Sequence, residues 1–226
     1  MIKTTSIDGL NFVIDNMPNF LTKILELSKN KVIKVVTPNP EIYIKYTRNR
    51  NYRNLLQSFD YALCDGAGLQ IAYRLSGVAL PRLTGTDMVS EILKDQSLKV
   101  YVIGSYSVAC KKLKLVGSNT SKITKASYTT IVKDLKELQP DVVMVALGAP
   151  LQEELIAFLA DQLQLGLLIG VGGAIDYVSN TVSRAPKFLR TLGLEWLYRL
   201  IRQPKRIWRI CNALFVFPIV FSRNKF

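Results

Sequence analysis

Five short apolar runs rich in β-branched residues, each cut off by Gly, Pro, Asn or Asp, restrict the fold of this chain more than any other feature. They are residues 32–36, ended by Thr37-Pro38-Asn39-Pro40; 61–64, ended by Asp65-Gly66-Ala67-Gly68; 100–103, ended by Gly104-Ser105; 142–147, ended by Gly148-Ala149-Pro150; and 167–171, ended by Gly172-Gly173. A run that is apolar at nearly every position has no side to give to water, so it reads as a central parallel strand covered on both faces. Between the runs, residues 41–48, 87–94, 130–138 and 152–163 carry apolar side chains at helical spacing. The alternation predicts an α/β domain with a Rossmann-like, mostly parallel sheet and helices on both faces. Ligands of such sheets bind beyond the carboxyl ends of the strands, which is where the Gly, Pro, Asn and Asp residues gather here.

At 226 residues the chain suits one domain plus an appendage. Its formal charge of +13 is unevenly spread: residues 1–176 hold 20 basic and 16 acidic side chains, whereas 177–226 hold 10 basic ones and only Glu195. Acidic residues thus stop near Thr181, the one compositional boundary in the chain. Cys64, Cys110 and Cys211 are odd in number and irregularly spaced, which suggests neither a disulfide framework nor a metal clamp. Residues 1–8 lack the apolar core of an export signal, and a cytoplasmic protein is expected. Histidine is absent, so proton transfer must fall to a carboxylate, Lys, Tyr or Cys.

Asp65 follows an apolar run directly and precedes two glycines, which would aim its carboxylate into the ligand crevice as a general base; the competing reading is an Asp-Gly turn or a helix cap. Thr37 and Asn39 stand at a neighbouring strand end, with plain N-capping the alternative for Asn39. The stretch from Gly148 to Gln152 and Glu153 joins a buried strand to a helix whose first N–H groups suit a phosphate. GxGxxG is missing from the first strand-to-helix turn and GxxxxGK[ST] from the whole chain, which disfavours a dinucleotide dehydrogenase and a P-loop enzyme. Gly170-Val171-Gly172-Gly173 comes late and follows no helix-opening context that would make it a cofactor fingerprint. Without an Asp-x-Asp pair or an imidazole, nothing recommends a bound divalent metal, and leaving-group charge must be met by Arg, Lys and helix N-termini.

The last stretch, from Trp196 onward, has seven basic residues, no acidic ones and a late apolar run. Residues 210–221 are too short to cross a bilayer, which takes about 20 residues, and read as an interfacial helix on an anionic membrane surface. Arg199, Arg202, Arg206 and Arg209 recur at helical spacing, with Pro204 between them. Two alternatives stand beside this: a core-packed terminal helix with a solvated basic face, and a nucleic-acid patch, although the segment is too apolar for a simple phosphate-tracking arm.

Thr37-Pro38-Asn39-Pro40-Glu41, Cys64-Asp65-Gly66-Ala67-Gly68, Arg82-Leu83-Thr84-Gly85-Thr86-Asp87, Gly148-Ala149-Pro150-Leu151-Gln152-Glu153, Arg184-Ala185-Pro186 and Leu194-Glu195-Trp196-Leu197-Tyr198-Arg199-Leu200 together resemble the WecG/TagA/CpsF glycosyltransferases, in order and spacing, over nearly the whole chain. The resemblance implies a metal-independent, inverting transfer of a sugar, N-acetylmannosamine in TagA-like members, from a UDP-sugar donor to undecaprenyl-diphosphate-linked N-acetylglucosamine. It needs no cofactor and belongs to teichoic acid linkage-unit synthesis on the cytoplasmic face of the bacterial plasma membrane. It makes Asp65 the base, places Thr37 and Asn39 beside the reacting sugar, and gives substrate contacts to Arg82, Gly148, Gln152 and Arg184. Arg199, Arg206 and Arg209 would fold over the site and meet the diphosphate charge. The expected division is an α/β glycosyltransferase domain, residues 1–193, and a helical, basic, membrane-associating appendage, residues 194–226, with a homo-oligomer left open. Leu151 stands where the family usually has Lys, Asn180 where Gly is common, and the segment 104–130 is short, leaving Tyr128 to stack on the base. The alternative function is a non-catalytic nucleotide- or nucleic-acid-binding module.

Overall fold

The computed structural model describes residues 1–104, 107–111, 113–179, 186, 188–189, 195–202 and 210–225. It opens with a hairpin of β1 (Thr4–Ile7) and β2 (Leu10–Val13), followed by α1 (Met17–Ser28) and β3 (Val32–Val36). Two helices, α2 (Pro40–Arg48) and α3 (Arg50–Gln57), lead to β4 (Tyr61–Ala62), and α4 (Ala67–Leu75) and α5 (Gly85–Lys94) lead to β5 (Val100–Gly104). Next come α6 (Ser107–Lys111), β6 (Gly117–Asn119), α7 (Tyr128–Leu138), β7 (Val142–Ala146), α8 (Leu151–Ala160), β8 (Gly166–Gly170) and α9 (Ala174–Val178). The chain ends in α10 (Glu195–Arg202), a π-helical stretch Asn212–Val216 and α11 (Phe217–Lys225).

All the strands join one sheet in the order β1-β2-β4-β3-β8-β7-β5-β6. Among the described residues only β1 and β2 pair antiparallel, and every other neighbour is parallel. The expected five runs form the middle of this sheet. The hairpin and the three-residue β6, which the apolar-run criterion passes over, form its two edges, where one face or one flank meets water and strands are short and mixed in polarity. The hairpin nonetheless carries a local signal: Asp8 and Gly9 have φ of 55° and 79°, the two left-handed residues of a tight two-residue turn, and Ile7 pairs with Leu10 across it.

Side chains alternate between two cores, as strand geometry requires. On one face Val36, Tyr101, Ile103, Val143, Val145 and Leu168 pack against α2, α3, α4, α7 and α8. On the other, Ile33, Val35, Val100, Val102, Val142, Met144, Leu167 and Ile169 pack against α1, α5, α6 and α9. Both faces are therefore covered, as predicted. Local chemistry starts the helices: Asn39 caps α2, as its alternative reading had it, with Pro40 at the first position, and Asn16, Asn49 and Thr84 cap α1, α3 and α5.

The C-terminal helix does not stand apart from this body. Phe217, Val220 and Phe221 are buried in the same core as α2 and α4, and the Phe221 ring lies 5.4 Å from Tyr43 and 5.3 Å from Tyr73, centroid to centroid. The same segment leaves Leu214, Phe215 and Ile219 exposed. Tyr43 and Tyr73 also donate hydrogen bonds to the carboxylate of Asp8, at 3.4 and 3.0 Å, so the hairpin tip and the last helix meet on one aromatic cluster. No helix among the described residues is long and apolar enough to cross a membrane.

Truncating a well-packed ring costs about 3–5 kcal/mol. Phe221→Ala is expected to lose about that much in urea unfolding; a loss below about 0.5 kcal/mol, the size of an ordinary surface change, would show that α11 contributes nothing to the folded body.

Candidate active site

Where two neighbouring strands send their following helices to opposite faces of the sheet, a crevice opens. Here β3 leads to α2 on one face and its partner β8 leads to α9 on the other, so the crevice lies at the β3–β8 seam. A cavity of about 350 Å³ occupies it. Thr37 and Asn39 reach it from just after β3, Asp65 from just after β4, Gly148 from the β7–α8 turn, Gln152 from the first turn of α8, and Thr86 from the start of α5. Five of the predicted site residues are thereby brought together.

Each is held by a definable interaction. The Thr37 hydroxyl donates to the carbonyl of Gly170, 133 residues later, at 2.9 Å in a buried setting, and so laces the ends of β3 and β8. The Asn39 side-chain oxygen accepts from the N–H groups of Glu41 and Ile42. Capping is thus real at Asn39, and the same residue faces the cavity. Asp65 is half-buried, and its own N–H donates to the carbonyl of Pro38 at 2.9 Å, while Leu63 N–H donates to Val36. These bonds carry the β3–β4 ladder past the last residue of β4 and set the Asp65 backbone beside Thr37. Asp65 does not cap α4; that position belongs to Gly66, at φ 90° and without a side-chain bond.

Arg82 does not line the cavity. It is pinned next to Asp65, because Leu83 N–H donates to the carbonyl of Cys64 at 3.1 Å. Burial pushes the Cys64 thiol up to about 12; the charge of Asp65 adds to this and that of Arg82 opposes it. Tyr128 opens α7 and packs on Phe158, with ring centroids 5.0 Å apart, rather than on the cavity. Arg184, Arg206 and Arg209 lie outside the described residues, as does Asn180; of Arg199 only the backbone, within α10, is described.

Several lining residues escape the sequence reading. Val171, Gly172 and Gly173 form one wall, and α9 does begin right after them, with Gly173 at its cap position. The helix itself gives no periodic signal in the sequence, because α9 is only five residues long. Gly148 and Gly172, at φ 77° and 50°, have open space where a Cβ would be, so backbone conformation and not crowding selects glycine there. Lys45 of α2 also lines the cavity and donates to the carbonyl of Ala149, next to the cis peptide before Pro150.

The most perturbed carboxyl lies just behind this wall. Glu153 is wholly buried; it accepts from Tyr52 Oη at 3.0 Å and from the side-chain amide of Gln152. Burial raises its pKa from 4.5 to about 7, against the lowering effect of those hydrogen bonds and of Lys45. Among the described residues, no cluster of three His, Cys, Asp or Glu side chains is arranged to hold a metal ion.

The glycosyl transferase WecG/TagA/CpsF family model matches residues 6–226. The chain belongs to that family. It is 34% identical over 223 residues, 92% of this chain and 86% of the relative, to a protein of Bacillus spizizenii named N-acetylglucosaminyldiphosphoundecaprenol N-acetyl-beta-D-mannosaminyltransferase. A Staphylococcus aureus protein of the same name is 29% identical over 242 residues, covering 98% of this chain and 95% of its own.

A carboxyl that holds its proton more tightly when folded favours the folded state below its unfolded pKa, and that advantage is lost as pH rises through the folded value. Between pH 4.5 and about 7, Glu153 should therefore withdraw up to about 3 kcal/mol of stability. Urea unfolding across pH 5–8 should show a steeper fall for the native protein than for Glu153→Gln, and identical slopes would show that the carboxyl titrates as if exposed.

Proposed function

We propose that this protein moves N-acetylmannosamine from a UDP-sugar to undecaprenyl-diphosphate-linked N-acetylglucosamine, with inversion at the sugar carbon, in cell-wall teichoic acid linkage-unit synthesis. What supports the reading is the convergence of Asp65, Thr37, Asn39, Gly148 and Gln152 on one switch-point cavity, in a chain this similar to the named mannosaminyltransferases. In the proposed step a hydroxyl oxygen of the acceptor N-acetylglucosamine forms a bond to the anomeric carbon of the donor. The bond from that carbon to the β-phosphate oxygen breaks, and UDP leaves with the electron pair. Asp65 takes the hydroxyl proton, so the nucleophile gains charge as the leaving group accepts it.

Thr37, whose hydrogen is committed to Gly170, offers lone pairs to the sugar, and Asn39, whose oxygen is committed to the α2 cap, offers its amide N–H. Gly148 and Gln152 line the diphosphate side, and Arg82, beside Asp65, contacts substrate from the rim. Arg184, Arg199, Arg206 and Arg209 would add positive charge to the departing UDP, the charge-assisted contacts a metal-free transfer needs.

The donor is soluble and the acceptor is lipid-linked, which calls for a peripheral enzyme on the cytoplasmic face of the membrane. We assign contact with the anionic surface to residues 194–226, with the catalytic body in residues 1–193. The basic residues of this segment and its exposed Leu214, Phe215 and Ile219 support that role. Because Phe217 and Phe221 are core residues, deleting the segment would damage the body as well as the membrane contact.

Purified protein given UDP-N-acetylmannosamine and a lipid-diphosphate-N-acetylglucosamine analogue should release UDP. Asp65→Asn should lower kcat by about 10²–10⁴-fold with cooperative melting retained; an unchanged kcat would remove the base assignment. Replacing Leu214, Phe215 and Ile219 with Ser should reduce retention on phosphatidylglycerol vesicles without lowering the melting temperature. Equal retention would place the membrane contact elsewhere.

A further inference from the structure

Behind the cavity wall lies a buried relay that runs from α3 to the backbone of the β8–α9 turn. Tyr52 Oη donates to one oxygen of Glu153 at 3.0 Å, and the Gln152 amide nitrogen donates to the other oxygen. The Gln152 side-chain oxygen in turn accepts the N–H of Gly172 at 3.2 Å. Glu153 and Gln152 are 0% and 2% exposed, so water cannot substitute for either partner.

With Glu153 ionised, the chemistry of the partners leaves the Gln152 amide one orientation. On one side is a carboxylate, which only accepts; on the other is a backbone N–H, which only donates. With its nitrogen toward Glu153 and its oxygen toward Gly172, both bonds form. Flipped, it would set donor against donor and acceptor against acceptor. The fold also makes room for the device: a Cβ at Gly170 would lie 2.9 Å from the Gln152 nitrogen, and the carbonyl of the same Gly170 takes the Thr37 hydroxyl. The relay and the Thr37 lacing therefore meet at one residue of β8.

We infer that Glu153 is a positioning residue: from inside the core it fixes the orientation of the Gln152 amide and, through it, the Gly172 backbone that walls the substrate cavity. It touches no substrate itself. The inference rests on the transferase reading only for what the cavity holds, and one of its two readouts is independent of catalysis.

The experiment compares the native protein with E153L, E153Q, Q152L and the double variant Q152L/E153L. Hydrogen-exchange protection of the Gly172 N–H, read by NMR, reports the backbone; kcat and KM for UDP release report the site. E153L orphans the buried Gln152 nitrogen and should lower both Gly172 protection and kcat/KM by about 10- to 100-fold. E153Q keeps an oxygen for Gln152 while its own nitrogen turns to the Tyr52 oxygen, so it should stay within about threefold of the native protein. Since Glu153 acts through Gln152, adding E153L to Q152L should cost nothing more.

Gly172 protection unchanged in E153L, or an E153L penalty of the same size in the Q152L background, would overturn the inference. If E153L does not melt cooperatively, E153M, with an unbranched side chain of similar length, takes its place in the same cycle. A native protein that releases no UDP would defeat the transferase reading, and Gly172 exchange would then decide the positioning role by itself.

Discussion

The seam between β3 and β8 is the constraint from which the rest of the molecule follows. Residues 32–35 pair with 166–169, so two stretches far apart in sequence must be side by side before either ligand-facing loop has a place. Their helices then leave on opposite faces, and the gap between them cannot be filled by the sheet itself. The Thr37–Gly170 hydrogen bond closes the seam at its mouth. Long-range parallel pairing gives back its loop-closure entropy only after it has formed, and the two cores on either side of the sheet supply the apolar burial that makes it stable.

Much of this arrangement was legible in the sequence. The apolar runs located the central strands because strands buried on both faces admit few polar residues, and the punctuation after them located the site because chain reversal demands Gly, Pro and capping side chains. The hairpin Asp8–Gly9, α1 and the edge strand β6 were harder to see. Their elements are short or have a solvated side, so their composition differs little from that of loops, although Asp-Gly was a turn signal that could have been used.

The site divides along a similar line. Asp65, Thr37, Asn39, Gly148 and Gln152 each stand directly after an apolar run or at a helix start, and pattern reading finds such places. Lys45 stands a full turn into α2 and reaches the cavity only because α2 leans over it. Glu153 looks like an ordinary acidic residue in a helical first turn, a favourable place beside the helix dipole. Only the packing of α3 against α8 turns it into a buried, hydrogen-bonded carboxyl. Charge and burial of this kind belong to tertiary contacts and have no local pattern.

The meeting of the hairpin tip and α11 on Tyr43 and Tyr73 bears on how the chain is made. Asp8 precedes Phe221 by 213 residues, yet both attach to the same two rings. During synthesis those rings can be partnered from the N-terminal side early, but Phe217, Val220 and Phe221 arrive only after β1 to β8 have been translated. Until that segment is made the two rings lack their C-terminal partners, an uncovered aromatic face of the kind chaperones bind.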